Sequence, residues 1–256
     1  MRTERGSFSI ARPFRRMAEI ASRGVVLRRE LPAHLGGKPL YVSPECSLRY
    51  WGRELAAVDP ILWRMVDHHV RPGDVVWDVG ANLGLFGFAA AHRASRVLLL
   101  EPDPWLANLL RKSAAHYSNV SVIETAVADY CGTGTLHIAT RGRASNFLFG
   151  NGNSQAGGKR RAEQVRVASL DSLPGPLPNI VKIDVEGSEL AVLRGATQIL
   201  AKARPVVICE VSGQWKSVTK LLAGYTLFSG EGGTPIATAS WNTVAIPQER
   251  IQQVTA

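Results

Sequence analysis

The sequence has few cysteines and no long apolar run. Its three cysteines, Cys46, Cys131 and Cys209, are widely separated. Zinc sites need clustered pairs and secreted disulfide frameworks need more cysteines, so neither is predicted. We expect the three to be small hydrophobic side chains, buried or half-buried, in a reduced cytoplasmic protein. A membrane-spanning helix needs about 20 continuous apolar residues. The longest candidate, residues 75–91, is interrupted by Asp78 and several glycines, so no transmembrane segment is predicted.

Acidic residues are scarce relative to basic ones. Lys and Arg number 30 against 21 Asp and Glu, which gives a net charge of +9. The excess is concentrated in residues 1–30, which hold eight arginines, and in residues 159–161. Such charge permits a nucleic-acid or anionic-lipid partner. A solvated N-terminal arm and a solvated loop are the simpler interpretation, so the role of both clusters stays open.

The chain divides into two parts by pattern. Residues 1–70 are predicted to be a basic, helical accessory region, in which residues 54–70 carry apolar side chains at intervals of three and four. Asp59 before Pro60 is typical of a helix start. Residues 71–256 alternate strands with helices, which predicts one domain with a mostly parallel sheet covered on both faces.

The predicted segments of that domain have the lengths of a doubly wound fold. We predict strands at 74–79, 96–101, 119–124, 165–168, 180–184, 206–211, 226–229 and 240–246, and helices at 83–93, 103–117 and 188–201. The last strands lack long helices between them, which indicates an antiparallel hairpin at the edge of a seven-stranded sheet. Residues 141–161, rich in Gly, Asn and Arg, are interpreted as a mobile loop. The fold class is α/β, of the Rossmann-like kind.

A Gly-rich turn follows the first strand of this domain. The dinucleotide fingerprint G-x-G-x-x-G fails twice here, and a Walker loop is missing. What remains is D-x-G-x-N-x-G, in which the cofactor-binding candidates are Asp78, Gly80, Ala81, Asn82 and Gly84. A carboxylate at this place suits a cofactor with a free ammonium group, such as S-adenosyl-L-methionine (AdoMet), and would repel a pyrophosphate. Glu101, at the end of the next strand, is expected to accept hydrogen bonds from ribose hydroxyls.

A second group of acids follows the predicted strand 180–184. That strand should lie beside the one that carries Asp78, so Asp184 should face the reactive methyl group. A carboxylate here can remove a proton from an acceptor hydroxyl or hold a metal that does so, with Glu186 beside it. The alternative for Asp184 and for Glu189 is that they only cap the following helix. His137 is kept as a reserve candidate for the base, and a divalent cation stays an open question.

Several motifs in order resemble those of FkbM-type methyltransferases. These are Asp78 to Gly84, Glu101-Pro102-Asp103-Pro104, Ala126-Val127-Ala128-Asp129, Leu170-Asp171-Ser172-Leu173, Lys182 to Leu190, and Arg204-Pro205 before a strand that ends in Glu210-Val211. The similarity covers about residues 73–247, and nothing in the first 70 residues contributes to it.

The resemblance implies an AdoMet-dependent O-methyltransferase with a class I fold. The acceptor would be a hydroxyl of a sugar, a glycolipid or a polyketide-type natural product, on a small molecule or a glycan. An RNA methyltransferase that uses the basic N-terminal region is the alternative, although the Pro-Pro-aromatic turn of amino-methylating enzymes is missing after Ile183. A catalytically inactive binding subunit is the non-enzymatic alternative. Acceptor identity and oligomeric state are not predicted.

Overall fold

The computed structural model describes residues 11–140, 142–148, 158–211, 213–230, 232 and 234–251. The strands are β1 Leu27–Glu30, β2 Pro39–Val42, β3 Val75–Val79, β4 Arg96–Leu100, β5 Val120–Ile123, β6 Ala126–Val127, β7 Gly132–Ala139, β8 Phe147–Leu148, β9 Lys159–Ala168, β10 Ile180–Ile183, β11 Val206–Glu210, β12 Tyr225–Ser229, β13 Pro235–Ile236 and β14 Asn242–Pro247. The α-helices are α1 Ala11–Ala21, α2 Pro60–His69, α3 Leu85–Ala90, α4 Pro104–Ala114, α5 Glu189–Arg194, α6 Thr197–Lys202 and α7 Trp215–Leu221.

The main sheet has eight strands in the order β13-β12-β14-β11-β10-β3-β4-β5. Strands β11, β10, β3, β4 and β5 are parallel to one another. At the other edge β14 pairs antiparallel with β11 and with β12, and β12 pairs antiparallel with β13. The prediction of a mostly parallel sheet with an antiparallel edge is confirmed. The predicted count of seven is wrong by one, because β13 is only two residues long and begins with a proline, which leaves no periodic signal.

The order of the chain through the sheet reverses between β3 and β10. From β3 the chain moves outward through β4 and β5, and then returns to place β10 on the other side of β3. Such a switch point opens a crevice at the carboxyl ends of the strands, where ligands bind in this type of fold. The predicted pairing of β10 with β3 is confirmed by the register, which sets Lys182 opposite Asp78.

The first 70 residues contain a hairpin that the sequence did not predict. Strands β1 and β2 pair antiparallel, so the region is not wholly helical. Leu31, Leu40 and Val42 are buried in the same hydrophobic cluster as α3 and α4 residues of the main domain. Asp59 does begin α2, since its carboxylate accepts a hydrogen bond from the Leu62 amide at 2.9 Å. A domain boundary at residue 71 stays a prediction.

A second sheet lies between β5 and β10 in sequence, with the strand order β6-β9-β7-β8. Only the end of β9 was predicted. The interpretation of residues 141–161 as a mobile loop is wrong for β8 and for residues 159–161, which begin β9. Residues 149–157 lie outside the described part of the chain. Leu136, Ile138 and Leu148 bury one face of this sheet in a small core of its own.

The predicted helix 188–201 is two helices, α5 and α6. They are separated at Gly195, where a Cβ would come within 2.2 Å of the Ala128 carbonyl oxygen, so only glycine fits. Asp171 then caps α6 from a distance, accepting hydrogen bonds from the amides of Gln198 and Ile199 at 2.9 Å each. The acid of the 170–173 motif is therefore structural.

The burial of the three cysteines agrees only in part with the prediction. Cys209 is buried and Cys46 is half-buried, as predicted, but Cys131 is exposed; all three are free thiols. Across the described ranges, no helix is both long and apolar enough to cross a membrane.

Candidate active site at the switch point

The Gly-rich turn is packed against the loop that follows β10. Gly80 has φ +72, and a Cβ built on it would lie 1.9 Å from the carbonyl oxygen of Asp184. Only a residue without a side chain permits both this conformation and this approach. Two successive amides, of Gly80 and Ala81, donate to the Leu100 carbonyl at 2.9 and 3.0 Å. The turn is thus fixed to β4 on one side and to the β10 loop on the other.

Asp78, the last acid before the Gly-rich turn, contacts helix α3 and Lys182. It is fully buried, and one carboxylate oxygen accepts a hydrogen bond from the Gly87 amide in α3 at 3.0 Å. Burial raises the pKa of Asp78, while the ammonium of Lys182, 3.5 Å from its other oxygen, opposes that shift. Asp78 is not part of the cavity lining described below, and neither are Ala81 and Gly84.

Lys182 links the two predicted acids, and the sequence interpretation gave it no role. Its ammonium lies 3.1 Å from the Asp184 carboxylate and 3.5 Å from that of Asp78. Burial opposes the charge, but these two carboxylates raise the pKa of Lys182 overall. The cation therefore stays charged and holds Asp184 at the mouth of the crevice. The expected pairing of β10 with β3 places Lys182 opposite Asp78, and this could have indicated the ion pair from the sequence.

Glu101 is buried directly above the turn. One carboxylate oxygen accepts from the Asn82 amide at 2.8 Å and the other from the Asp103 amide at 2.9 Å. Burial raises the pKa of Glu101 to about 8. Asn82 has φ +53, and its side-chain oxygen is buried without a hydrogen-bond partner among the described residues. An unpaired acceptor beside a carboxylate suits a ligand that carries hydroxyl or ammonium donors.

A cavity with about 610 Å³ of empty space opens over these groups. Five of the nine predicted site residues line it: Gly80, Asn82, Glu101, Asp184 and Glu186. The opposite wall comes from the second sheet, through Leu136, Phe147 and Leu148. Polar groups on one wall and apolar side chains on the other suit a ligand with a polar chain and a flat aromatic base.

A second cavity, with about 600 Å³ of empty space, lies on the far side of Asp184. Its polar lining includes Asp59, Lys182, Asp184, Glu210 and Asn242, from α2, β10, β11 and β14. Burial and the charge of Asp184 raise the pKa of Glu210 to about 7. Burial, with the charges of Asp184 and Glu210, raises the pKa of Glu186 to about 8. The acids crowd one another around Asp184, which borders both cavities.

A buried ion-pair network at the rim of the first cavity was not foreseen from the sequence. Arg143 pairs with Asp103 and, at 3.1 Å, with Glu45 of the N-terminal region. Its guanidinium also lies 4.6 Å from the centre of the Trp105 ring. Glu45 further accepts from Arg160 at 2.8 Å. The network connects the N-terminal region and the second sheet to the start of α4, and it gives Arg160, in the second basic cluster, a structural role.

His137 lies apart from the other predicted site residues. It is buried on β7, packed edge-on against Phe147 with ring centres 5.0 Å apart, and is not part of the cavity lining. Burial and the charge of Lys159 lower its pKa. Its role as a base stays a prediction that this geometry does not favour. Within the described ranges, no group of three or more His, Cys, Asp or Glu side chains is arranged to hold a metal ion.

The architecture and the turn at the switch point together define a Rossmann-like class I methyltransferase fold. The sequence model of the methyltransferase FkbM domain matches residues 78–228. The chain therefore belongs to the FkbM methyltransferase family, and it is a methyltransferase that is AdoMet-dependent by family.

Curated relatives and a solved structure show how far the similarity extends. The hexuronic acid methyltransferase AglP of Haloferax volcanii is 27% identical over 215 residues, which cover 80% of this chain and 84% of the relative. A probable ribosomal RNA small subunit methyltransferase A of Thermococcus onnurineus is 39% identical over only 74 residues, 28% of this chain and 27% of that protein. The crystal structure of a methyltransferase FkbM from Methylobacillus flagellatus superposes with a TM-score of 0.46 at 18% identity, covering 68% of this chain. This chain spans 43% of that structure's length.

Proposed function

We propose that the protein is an AdoMet-dependent O-methyltransferase whose acceptor is a hydroxyl of a sugar, a glycolipid or a polyketide-type natural product. The observation that carries this proposal is the position of Asp184. It borders both the cavity over the Gly-rich turn and the second cavity beyond it. A cofactor in the first cavity and an acceptor in the second would meet at this carboxylate.

The residues of the first cavity fit AdoMet. Glu101 and the unpaired Asn82 oxygen offer acceptors to ribose hydroxyls or to an ammonium group. The apolar side chains Leu136, Phe147 and Leu148 offer a surface to an adenine ring. The Gly80 backbone, which carries no side chain, lines the same cavity. When bound, AdoMet supplies a methyl group on a sulfonium sulfur, an electrophilic carbon open to displacement.

We assign Asp184 to orient the acceptor hydroxyl and to accept its proton as the oxygen–carbon bond forms. Lys182 restrains that carboxylate from below, at 3.1 Å. Glu186 lines the first cavity together with Asp184, and burial and the charge of Asp184 raise its pKa to about 8. A divalent cation held by these acids would take over the orientation of the hydroxyl, and we favour the metal-free version.

The lining of the second cavity suits an acceptor that has both hydroxyl groups and an apolar face, as a sugar ring does. Asp59, Glu210 and Asn242 offer hydrogen-bond acceptors, and apolar side chains such as Leu62 and Phe86 line the same cavity. The AglP relative is named for a hexuronic acid, and 80% of this chain aligns with it. The acidic side chains of this cavity would repel the carboxylate of a uronic acid. We therefore expect an uncharged sugar or polyol to be preferred. We also propose that residues 1–70 act as an accessory region that holds the cavity rim through Glu45.

Two alternatives remain distinguishable. The short match to a ribosomal RNA methyltransferase and the basic N-terminal region favour an RNA acceptor. RNA binding through phosphate contacts would weaken steeply with salt. An inactive binding subunit would require damage to the cofactor site, whereas each predicted residue of the turn is present.

The experiment is methyl transfer from labelled AdoMet to three acceptor sets: neutral sugars and their glycosides, the matching uronic acids, and RNA. Mass spectrometry locates the added methyl on oxygen, carbon or nitrogen. Transfer to a neutral sugar hydroxyl supports the proposal. AdoMet binding without transfer to any sugar, together with salt-sensitive transfer to RNA, would replace it with the RNA alternative.

A further inference from the structure

Helix α1 presents its apolar side chains to solvent. Phe14 is 68% exposed, Met17 is 65% exposed and Ile20 is 51% exposed. Residues three apart lie on one face of a helix, so the three form a single apolar stripe. We call this the α1 stripe. Scattered exposed apolar residues need no explanation, but a contiguous stripe marks a site that another surface covers.

The opposite face of α1, which turns toward the protein, is small or polar. Ser22, just after the helix, is buried, and Ala18 and Glu19 are half-buried. An amphipathic helix at the surface of a globular protein ordinarily turns its apolar face to the core. The orientation of α1 is the reverse, so its apolar face does not contribute to this protein's own core.

Positive charge flanks the α1 stripe. Arg15 pairs with Glu19 at 3.2 Å, which neutralises the one acid of the helix, and Arg16 is exposed beside them. Arg23 and Arg28 follow, both exposed, although Arg28 pairs with Glu30 at 3.8 Å. In all, residues 1–30 hold eight arginines against three glutamates. An apolar stripe with arginines beside it is the composition of a helix that lies in a membrane interface.

We propose that α1 docks on an anionic lipid surface, with the α1 stripe among the acyl chains and the flanking arginines on the headgroups. A second copy of the chain would cover the stripe too, but it would bring two arginine-rich segments of like charge together. RNA would satisfy the arginines and leave the stripe in water. An anionic bilayer covers the stripe and neutralises the charge at once. The proposal does not depend on which acceptor is methylated.

Vesicle sedimentation of the full chain tests this. We expect binding to phosphatidylcholine vesicles with about 30% phosphatidylglycerol, little binding to pure phosphatidylcholine, and weakening by about 0.5 M NaCl. The triple variant Phe14→Gln, Met17→Gln, Ile20→Gln keeps good helix formers and should lower the partition coefficient about tenfold or more. Arg16→Gln should lower it only on anionic vesicles.

Two control variants remove an apolar side chain or positive charge at positions outside α1. Leu177→Gln removes another side chain, 52% exposed, from outside α1, and Lys216→Gln with Lys220→Gln removes charge from α7. Both should bind vesicles as the wild type does, and the triple variant should retain its AdoMet affinity, which shows that it is folded. Absence of binding to anionic vesicles overturns the proposal, as does equal loss in the Leu177→Gln control. A wild-type oligomer that the triple variant dissociates, without vesicle binding, would instead identify α1 as a self-association surface.

Discussion

The carbonyl oxygen of Asp184 occupies the space that a side chain on residue 80 would need. A Cβ built on Gly80 would lie 1.9 Å from it, closer than any real contact. The cofactor turn after β3 and the acidic loop after β10 are therefore packed backbone against backbone. A displacement of the turn requires a displacement of the loop, so we expect binding of the cofactor to affect the position of the acid.

Gly80→Ala should damage both stability and AdoMet binding. The added Cβ meets the Asp184 carbonyl, and φ +72 is strained for alanine. Gly73→Ala is the matched control, because Gly73 has φ +90 but nothing within 4 Å of a new Cβ. The control should cost about 1–2 kcal/mol of unfolding free energy and leave AdoMet affinity intact. Denaturant unfolding measures the unfolding free energy, and calorimetry measures the AdoMet affinity. Equal losses in Gly80→Ala and Gly73→Ala would show that the contact with Asp184 is unimportant.

Measured above the raised pKa of Glu101, about 8, where its carboxylate is charged, Glu101→Ala should weaken AdoMet binding by about 1.5–3 kcal/mol, the usual range for a hydrogen bond to a charged group. The carboxylate now also holds the amides of Asn82 and Asp103, so part of the loss will come from a looser turn. Glu124→Ala removes an exposed acid just beyond the next strand, β5, and serves as the control. Calorimetric affinity that is unchanged in Glu101→Ala would remove this residue from the cofactor site.

Asp184→Asn should lower kcat by about 10²–10⁴-fold, the usual contribution of a general base. AdoMet affinity should stay within a few-fold, because the shape of the side chain is kept and Lys182 retains Asp78 as an ion-pair partner. Steady-state kinetics separates the two effects. If wild-type activity is abolished by a chelator and restored by Mg²⁺ or Mn²⁺, these acids hold a metal instead. An active Asp184→Asn enzyme that is insensitive to chelator contradicts both versions, and His137 would be tested next.

Arg143→Met should destabilise the protein by about 3–5 kcal/mol, because it leaves Asp103 as a buried carboxylate without its cation and Glu45 with Arg160 alone. Lowering the pH should recover part of that loss as the carboxylates are protonated. Arg111→Met breaks the exposed Arg111–Glu124 pair and should cost at most about 1 kcal/mol. Urea titrations of the two variants make the comparison. Similar losses in both would mean that the buried network contributes no more than a surface pair.

Glu186 should make stability fall with rising pH. Burial and neighbouring acids raise its pKa to about 8 in the folded protein, above the ordinary value of 4.5. Between these values the folded chain holds a proton that the unfolded chain has lost, so the unfolding free energy decreases as pH rises from about 4.5 to 8. Glu186→Gln cannot ionise, and its decline should be shallower; Glu101 and Glu210, shifted the same way, keep some slope. Parallel curves for the two proteins would contradict the shift.

Local patterns in the sequence determined the parallel strands, the turn from Asp78 to Gly84 and the start of α2 at Asp59. Each of these depends on neighbours within a few residues: apolar periodicity, a glycine at a strand end, a capping carboxylate before a proline. The pairing of β10 with β3 was also predicted, from the switch point expected in a doubly wound sheet. The same motifs carried the family resemblance, and the match over residues 78–228 confirms it.

Tertiary structure decided what depends on residues far apart in the chain. Glu45 and Arg143 are 98 positions apart, and no periodicity connects them. The break between α5 and α6 lies at Gly195, which packs against the Ala128 carbonyl. The second sheet depends on pairing between strands that are distant in sequence, such as β7 and β9. Tertiary structure also decided which face of α1 turns outward. That orientation follows from the contacts of Ala18, Glu19 and Ser22 with the rest of the protein, because a helix buries whichever face its neighbours can accommodate.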